Sequence, residues 1–430
     1  MYRQAGRPID VDLRRELSWA KLGDSYTHQI HSYPAKLLPI IAEFFVKTRE
    51  KRDDVADSVL DPFCGSGTVA LEASLDGAIP LICDANPFAA LIATVKTTPY
   101  DVVILNNTLK LILSKRKRRK EVESTHIINW ELWYSPRIKT ELDRLVERIG
   151  DVEDNSVRDF FRVCLASVAR KLSNADPLIS VPVTQKESER HSDRVNKLIR
   201  ARHSWLLHVD AAAEFERICH ENIRRVDITN KAAPHRRPAL LVGRDAKDLT
   251  GARTDGKLPL IITSPPYGSA QKYIRSSSLA LNWLGLASPN ELAGLEALSI
   301  GREHVARSKN QVCGRPIGAT FENLISEVRK TNPRRARITE LYLEEMHKSL
   351  SEISDSLVDG GRAVIVVGNN QVCGITLRND DFVKDVMTSS GLELELSLTD
   401  SIKSRGLMIK RNKTASVIAS ESILMFKKIA

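Results

Sequence analysis

The sequence predicts an α/β protein built on an open, mostly parallel sheet of seven strands with an inserted helical domain. Three observations carry that prediction. Short apolar runs bounded by turn signals recur along the chain, the first five are apolar on both faces, and helical patterns separate several of them. Parallel strands buried between layers of helices need this composition, because neither of their faces meets water.

The strand runs are Ser58 to Phe63, Pro80 to Asp84, Ala239 to Gly243, Leu258 to Thr263, Ala363 to Gly368, Leu392 to Leu398 and Ser422 to Lys427. The sixth alternates polar and apolar residues, as an edge or half-exposed strand does. Between Tyr100 and Pro238 the pattern turns helical. Ser135 and Pro136 read as N-cap and first helical residue, Ile138, Leu142, Leu145, Val146 and Ile149 form one stripe, and Gly150 ends it. A second helix is expected over Val157 to Leu172 and a third, longer one over Asp193 to Arg225. Ala287 to Arg337 mixes Gly, Pro, Ser and basic residues without clear periodicity and reads as a long functional loop region.

With 430 residues, 42% hydrophobic and 27% charged, the chain can form a large core plus an insert. Its net charge of +10 is bunched at 114–120, 194–203 and 329–337, which suits a polyanionic partner. For any single run, and for 114–120 above all, a solvated face is the competing reading. The six cysteines are scattered with no paired or zinc-type spacing, so neither a disulfide framework nor a metal is expected. No apolar run is long enough to span a bilayer, so a cytoplasmic, nucleoid-associated protein is expected.

"VLDPFCGSGTVALEA" runs from an apolar strand through Gly65-Ser66-Gly67 into a helix. Glycines there let the backbone approach a ligand, and the free N–H groups of the helix start point at it. The next strand ends in Asp84, where an acid can accept hydrogen bonds from ribose hydroxyls. A plain tight strand–helix turn is the bland alternative. A third glycine near Ala70 and a G-x-x-x-x-G-K-[ST] run are both missing, which disfavours dinucleotides and P-loop ATP binding and leaves a nucleoside cofactor without pyrophosphate. "TSPPYG" (263–268) follows a buried strand, and two prolines end that strand rigidly.

Together "DPFCGSGT" and "TSPPYG" resemble the S-adenosylmethionine-dependent DNA amino-methyltransferases, which methylate exocyclic amines of cytosine or adenine. The resemblance extends to "HSYPAKLLP" (31–39), "CDANPFA", "GRDAKDL" (243–249), "YIRSSSLALNWLG" (273–285), "GGRAVIVVGNN", "RGLMIKRN" and "SESILMF", in order, and covers most of the chain. It implies a Rossmann-like methyltransferase sheet. Residues 1–100 and 238–430 would form the two parts of the methyltransferase domain, 101–237 a helical insert open to target recognition, and 287–337 a basic loop region.

The resemblance implies S-adenosylmethionine held by Tyr33, Pro34, Ala35, Lys36, Asp61, Pro62, Phe63, Gly65, Ser66, Gly67, Thr68, Asp84, Asn86 and Asp245. It implies catalysis by Ser264, Pro265, Pro266 and Tyr267. An exocyclic amine is a poor nucleophile because its lone pair is delocalised into the ring. By resemblance, Ser264 Oγ and the Pro265 carbonyl accept its N–H bonds and Tyr267 stacks on an extruded base, with direct methyl transfer. The DNA contacts implied are Tyr273, Arg275, Arg194, Lys197, Arg200, Arg334, Arg335 and Arg405. Serine at the head of the loop leans the resemblance towards cytosine N4 over adenine N6, with a cognate restriction or defence protein as a partner. The insert precedes "GRDAKDL", which leaves the target-recognition region open between the Arg194 helix and 287–337. Rival readings are an RNA amino-methyltransferase, an inactive nucleic-acid-binding subunit, and glutamine methylation, which prefers Asn in place of Ser264.

Overall fold

The computed structural model of the chain describes residues 6–13, 26–34, 36–114, 124–254, 256–268, 272–303, 318–401 and 420–429. Eight strands form one sheet. They are β1 (Ile9–Val11), β2 (Ser58–Asp61), β3 (Ile79–Cys83), β4 (Leu240–Gly243), β5 (Leu258–Thr263), β6 (Leu357–Gly368), β9 (Leu392–Ser401) and β10 (Ser420–Lys428). β7 (Asn370–Val372) and β8 (Ile375–Leu377) make a separate hairpin. The order is β1-β9-β10-β6-β5-β2-β3-β4, with β10 antiparallel to both neighbours and the other pairs parallel. All seven expected strands are therefore present, in an open, mostly parallel Rossmann-like sheet, and β1 adds an eighth beyond β9. Ile9-Asp10-Val11 is too short to give a periodic signal, and its pairing partner lies almost 400 residues on.

Side chains sort across this sheet with period two. Val59, Leu260, Ile262, Val364, Val366 and Ile423 pack against the helices Pro39–Lys47 and Thr68–Leu75 on one face. Leu60, Ile261, Ala363, Ile365 and Leu424 pack on the other against the helices Ala319–Thr331, Pro333–Ser356 and Asn379–Ser389. Burial on both sides explains why these strands read as unbroken apolar runs.

The helical stretch consists of Val102–Leu113, Trp130–Trp133, Pro136–Gly150, Asn155–Lys171, Asp193–His208 and Ala211–Ala232. Its core is continuous with the helices Pro87–Thr97 and Tyr273–Trp283, the first of which packs on β3 and β4. Ser135 caps Pro136–Gly150 by accepting a hydrogen bond from the Ile138 N–H, as its position suggests. The single long helix expected over Asp193 to Arg225 is two. Val209 is extended, and Asp210 accepts hydrogen bonds from the Ala212 and Ala213 N–H groups, so it starts a new helix.

Region 287–337 also differs from the loop expected there. It holds the helices Leu292–Leu298 and Ala319–Thr331 and the start of Pro333–Ser356. Phe321, Ile325 and Val328 form a buried stripe at helical spacing, and Asn332 caps the last helix with Pro333 at its first position. The abundance of Arg, Gly and Ser hides this stripe in the sequence.

Candidate functional site

The C-terminal ends of β2, β3, β4 and β5 open into a cleft of about 670 Å³, the side on which open parallel sheets bind ligands. Tyr33, Pro62, Phe63, Gly65, Asp84, Asn86, Asp245, Ser264, Pro266 and Tyr273 line it, together with Ala85, Ala246, Leu298, Ser299 and Ile300. Both sequence motifs thus face one cavity.

The wall carrying the glycine turn is built by backbone geometry. Gly65 and Gly67 both have positive φ, 48° and 72°. A Cβ on Gly67 would lie 2.5 Å from that of Ala93, so the close crossing of Thr68–Leu75 and Pro87–Thr97 requires glycine there. A Cβ on Gly65 would fill the gap beneath the Tyr33 ring, 3.6 Å away. The turn is tied to β3 by Asp84, which accepts from the Gly65 N–H at Oδ2 and the Asn86 N–H at Oδ1, both at 2.8 Å. Burial pushes the Asp84 carboxyl up to about 6, and these two backbone bonds oppose the rise. Asn86 is fully engaged: its carbonyl accepts from the Phe88 N–H, and its amide donates to Tyr33 Oη and Ser277 Oγ.

The other expected cofactor residues sit behind this lining. Asp61 is 4% exposed; the Thr263 hydroxyl donates to it at 2.6 Å and the Phe63 N–H at 3.1 Å, while burial lifts its carboxyl to about 7. It therefore welds the end of β2 to the end of β5, one residue before Ser264. Ser66 and Thr68 are buried, Pro34 is half-buried, and Lys36 donates to the His28 carbonyl. Ala35 lies outside the described residues. Below the glycine turn is a polar layer that sequence reasoning missed. Lys96 is 0% exposed and reaches Ser66 Oγ at 3.4 Å, and the His28 ring meets Glu72 at 2.6 Å. Burial holds the Glu72 carboxyl up at about 8 and the His28 imidazole well below its ordinary value.

At the end of β5, Ser264 and Pro266 face the cleft, and Pro265 is buried. The Tyr267 hydroxyl donates to Glu421 Oε1 on β10 at 2.8 Å, and burial keeps this phenol neutral far above its ordinary range. The Tyr342 hydroxyl lies 3.1 Å from the Pro266 carbonyl, and Asn370 donates to the Gly268 carbonyl at 3.1 Å. Gly301, at φ 77°, brings Ser299 and Ile300 against this loop; a Cβ there would lie 3.1 Å from the Tyr267 carbonyl. Leu298, Ser299, Ile300, Tyr342, Asn370 and Glu421 are all missing from the sequence-derived set, because only tertiary packing brings them to it.

The expected nucleic-acid residues divide. Tyr273 lines the cleft and Arg275 is exposed two residues further along the same helix. Arg194, Lys197 and Arg200 are exposed on Asp193–His208, outside the lining, with Arg200 ion-paired to Glu187. Arg334 is exposed and Arg335 half-buried in the first turn of Pro333–Ser356. Arg405, and 115–120 of the first basic run, lie outside the described residues. Among the described residues no cluster of His, Cys, Asp or Glu could hold a metal, and no helix is long and apolar enough to cross a membrane.

A glycine turn and an acid on successive parallel strands of a Rossmann-like sheet share one cleft with Ser264 and Pro266 of the Ser-Pro-Pro-Tyr loop. The family model for UPF0020, an RMKL-like methyltransferase domain, matches residues 27–204. The chain is 21% identical over 429 residues to the type II methyltransferase M.MvaI of Kocuria varians, covering 93% of this chain and 91% of that protein. It is 36% identical over 112 residues to the type II methyltransferase M.MjaII of Methanocaldococcus jannaschii, covering 26% of this chain and 21% of that one. Among solved structures, the rRNA methyltransferase AviRa of Streptomyces viridochromogenes matches at 10% identity and a TM-score of 0.35, covering 97% of this chain and 96% of that one. Over most of its length the chain is thus similar to a type II methyltransferase, and part of it to a methyltransferase domain model.

Proposed function

We propose that this protein is a site-specific DNA methyltransferase that moves a methyl group from S-adenosylmethionine to the exocyclic amine of an extruded base, cytosine N4 ahead of adenine N6. The observation that carries the reading is that Ser264 and Asp84 line the same cleft. A cofactor bound along Asp84 and an amine held at Ser264 would then be neighbours.

The cleft suits the cofactor. The Gly65 turn brings its backbone close beneath the Tyr33 ring, and the remaining lone pairs of Asp84 can accept ribose hydroxyls. Asp245, Ala246 and Ile300, which also line the cleft, give it both polar and apolar surface for a purine. When bound, S-adenosylmethionine supplies an electrophilic methyl on a sulfonium. The protein's part is to orient the amine: Ser264 Oγ and the Pro265 carbonyl draw its protons into their lone pairs, and the two prolines keep that carbonyl from turning away. Tyr267, held by Glu421, offers its ring to the base.

For the DNA surface, the helix Pro333–Ser356 favours its own basic turn over Asp193–His208. Tyr342 on this helix touches the catalytic loop, and Arg334 lies eight residues earlier, about 12 Å along the axis. The helix N-terminus adds its partial positive charge to that basic turn. The DNA of cells expressing the protein would be digested to nucleosides and read by mass spectrometry. N4-methylcytosine is the expected product; N6-methyladenine alone would move the base assignment, and no methylated base at all would remove the DNA reading.

A further inference from the structure

We infer that Tyr342 and Asn370 are positioning residues that hold the Ser264–Gly268 loop in its reactive shape from behind. The inference rests on the amine-methylation reading of Ser264.

Two carbonyls could swing a loop of this kind, and each meets a buried donor from a distant element. The Tyr342 hydroxyl, on the helix Pro333–Ser356, faces the Pro266 carbonyl at 3.1 Å. The Asn370 amide, at the start of β7, donates to the Gly268 carbonyl at 3.1 Å. These donors are themselves fixed. Asn379 donates to the Gly368 carbonyl at 2.8 Å and to Asn370 Oδ1 at 2.9 Å, and its own carbonyl lies 3.3 Å from the Tyr342 hydroxyl. All three side chains are buried, at 4%, 8% and 2% exposed for Tyr342, Asn370 and Asn379. Water is therefore poorly placed to replace a missing donor.

Shape reinforces the polar contacts. An added Cβ on Gly268 would lie 2.9 Å from the Tyr342 ring, so the aromatic face closes the space into which the loop could relax. A phenol has one proton, and two acceptors compete for it here. Burial pushes the Tyr342 phenol well above its ordinary pKa, so that proton stays in place at neutral pH. None of these groups lines the cleft. They act through the loop: the pinned carbonyl of residue 266 directly follows the two prolines, whose rings fix their φ angles, so the Pro265 carbonyl and Ser264 just upstream are oriented before substrate arrives, while the pin at residue 268 holds the loop's far end.

The test compares Tyr342→Phe, Asn370→Ser and Ser264→Ala in the full chain. Single-turnover methylation of DNA, cofactor affinity by calorimetry and thermal melting are measured for each. Tyr342→Phe keeps the ring against Gly268 and removes only the hydroxyl. It should slow single-turnover transfer by about tenfold to a hundredfold with cofactor affinity within about twofold. Asn370→Ser should act in the same direction and serves as the second variant if Tyr342→Phe fails to fold. In the double variant Ser264→Ala/Tyr342→Phe, the loss should be smaller than the product of the two single losses, since both residues act on the positioning of the same amine. An unchanged transfer rate in a folded Tyr342→Phe or Asn370→Ser, or a loss matched by cofactor affinity, overturns the inference. Full activity in Ser264→Ala instead overturns the functional reading, whatever the two positioning variants do.

Discussion

The cleft and the helix Asp193–His208 are held in opposite ways. Around the cleft, Asp61, Asn86, Asn370 and Tyr342 are buried and joined to backbone atoms or to each other. On Asp193–His208 only Ile199 and Leu206 are buried, and Val195, Leu198 and Leu207 stand in solvent among Arg194, Lys197 and Arg200. Its anchors are Arg202, which donates to the carbonyls of Lys171 and Ser173, and Arg137, which reaches the carbonyls of Leu206 and Leu207. A reaction centre needs atoms fixed before the substrate arrives, whereas a polyanion can be met by long charged side chains that settle on arrival. The contrast predicts that a single change in the cleft has a large, specific effect and that the helix surface yields only to combined changes.

The largest effect is expected at Ser264. On the proposed reading Ser264→Ala removes an acceptor for the amine, and by analogy with the loss of one oxyanion-hole donor, transfer should fall by about 10²–10³-fold. Cofactor affinity should stay level, because the hydroxyl has no part in the glycine turn. A parallel loss of both would mean that the two walls of the cleft are not separable.

Next comes Gly67→Ala, which tests whether the cofactor wall is set by backbone. The new methyl group meets Ala93 at 2.5 Å in a residue at φ 72°, so left-handed strain and overpacking add. Stability should fall by on the order of 2–4 kcal/mol, read by urea unfolding. Gly77→Ala is the control: its φ is 83°, but nothing lies within 4 Å, so only the strain remains. Equal losses at the two positions would discard the helix-crossing argument.

These two residues also show what the sequence makes legible. The strands and the two motifs are readable because their signals are local: apolar runs for strands buried on both faces, a glycine pair at a strand–helix turn, and a proline pair that ends a strand. Tyr342, Asn370 and Glu421 carry no such mark, since each meets the loop only after β6 and β10 pair beside β5. Lys96 reads as an ordinary helix-end lysine until the fold closes over it. The helix boundary at Asp210 escapes the sequence pattern because Val209 and Asp210 interrupt a run that otherwise favours helix on both sides.

A smaller effect is expected at Asp84. Asp84→Ala should weaken S-adenosylmethionine binding by about 1–3 kcal/mol, measured by calorimetry. The pH dependence gives a second reading. The carboxyl is raised to about 6 by burial, and only its charged form accepts from ribose hydroxyls at full strength. Affinity should therefore be steady above about pH 7 and decline as pH falls through about 6. Asp84→Asn should flatten that decline. A profile that keeps its break near 6 in Asp84→Asn would assign the titration to another group.

The smallest effect belongs to the basic surfaces, and it decides which of them meets DNA. Every phosphate that a variant no longer neutralises should lower the slope of log affinity against log salt by about 0.9, with little change in cofactor binding. Reversing Arg334 and Arg335 together should reduce that slope, because their helix also carries Tyr342 against the catalytic loop. Reversing Arg194, Lys197 and Arg200 should leave it nearly unchanged if that helix faces something other than DNA. Arg200 already has Glu187 as a partner at 2.5 Å, and the exposed Val195, Leu198 and Leu207 beside it favour an apolar neighbour over a phosphate. The opposite ranking of the two charge reversals would give target recognition to the helical stretch and leave Pro333–Ser356 as the support of the loop.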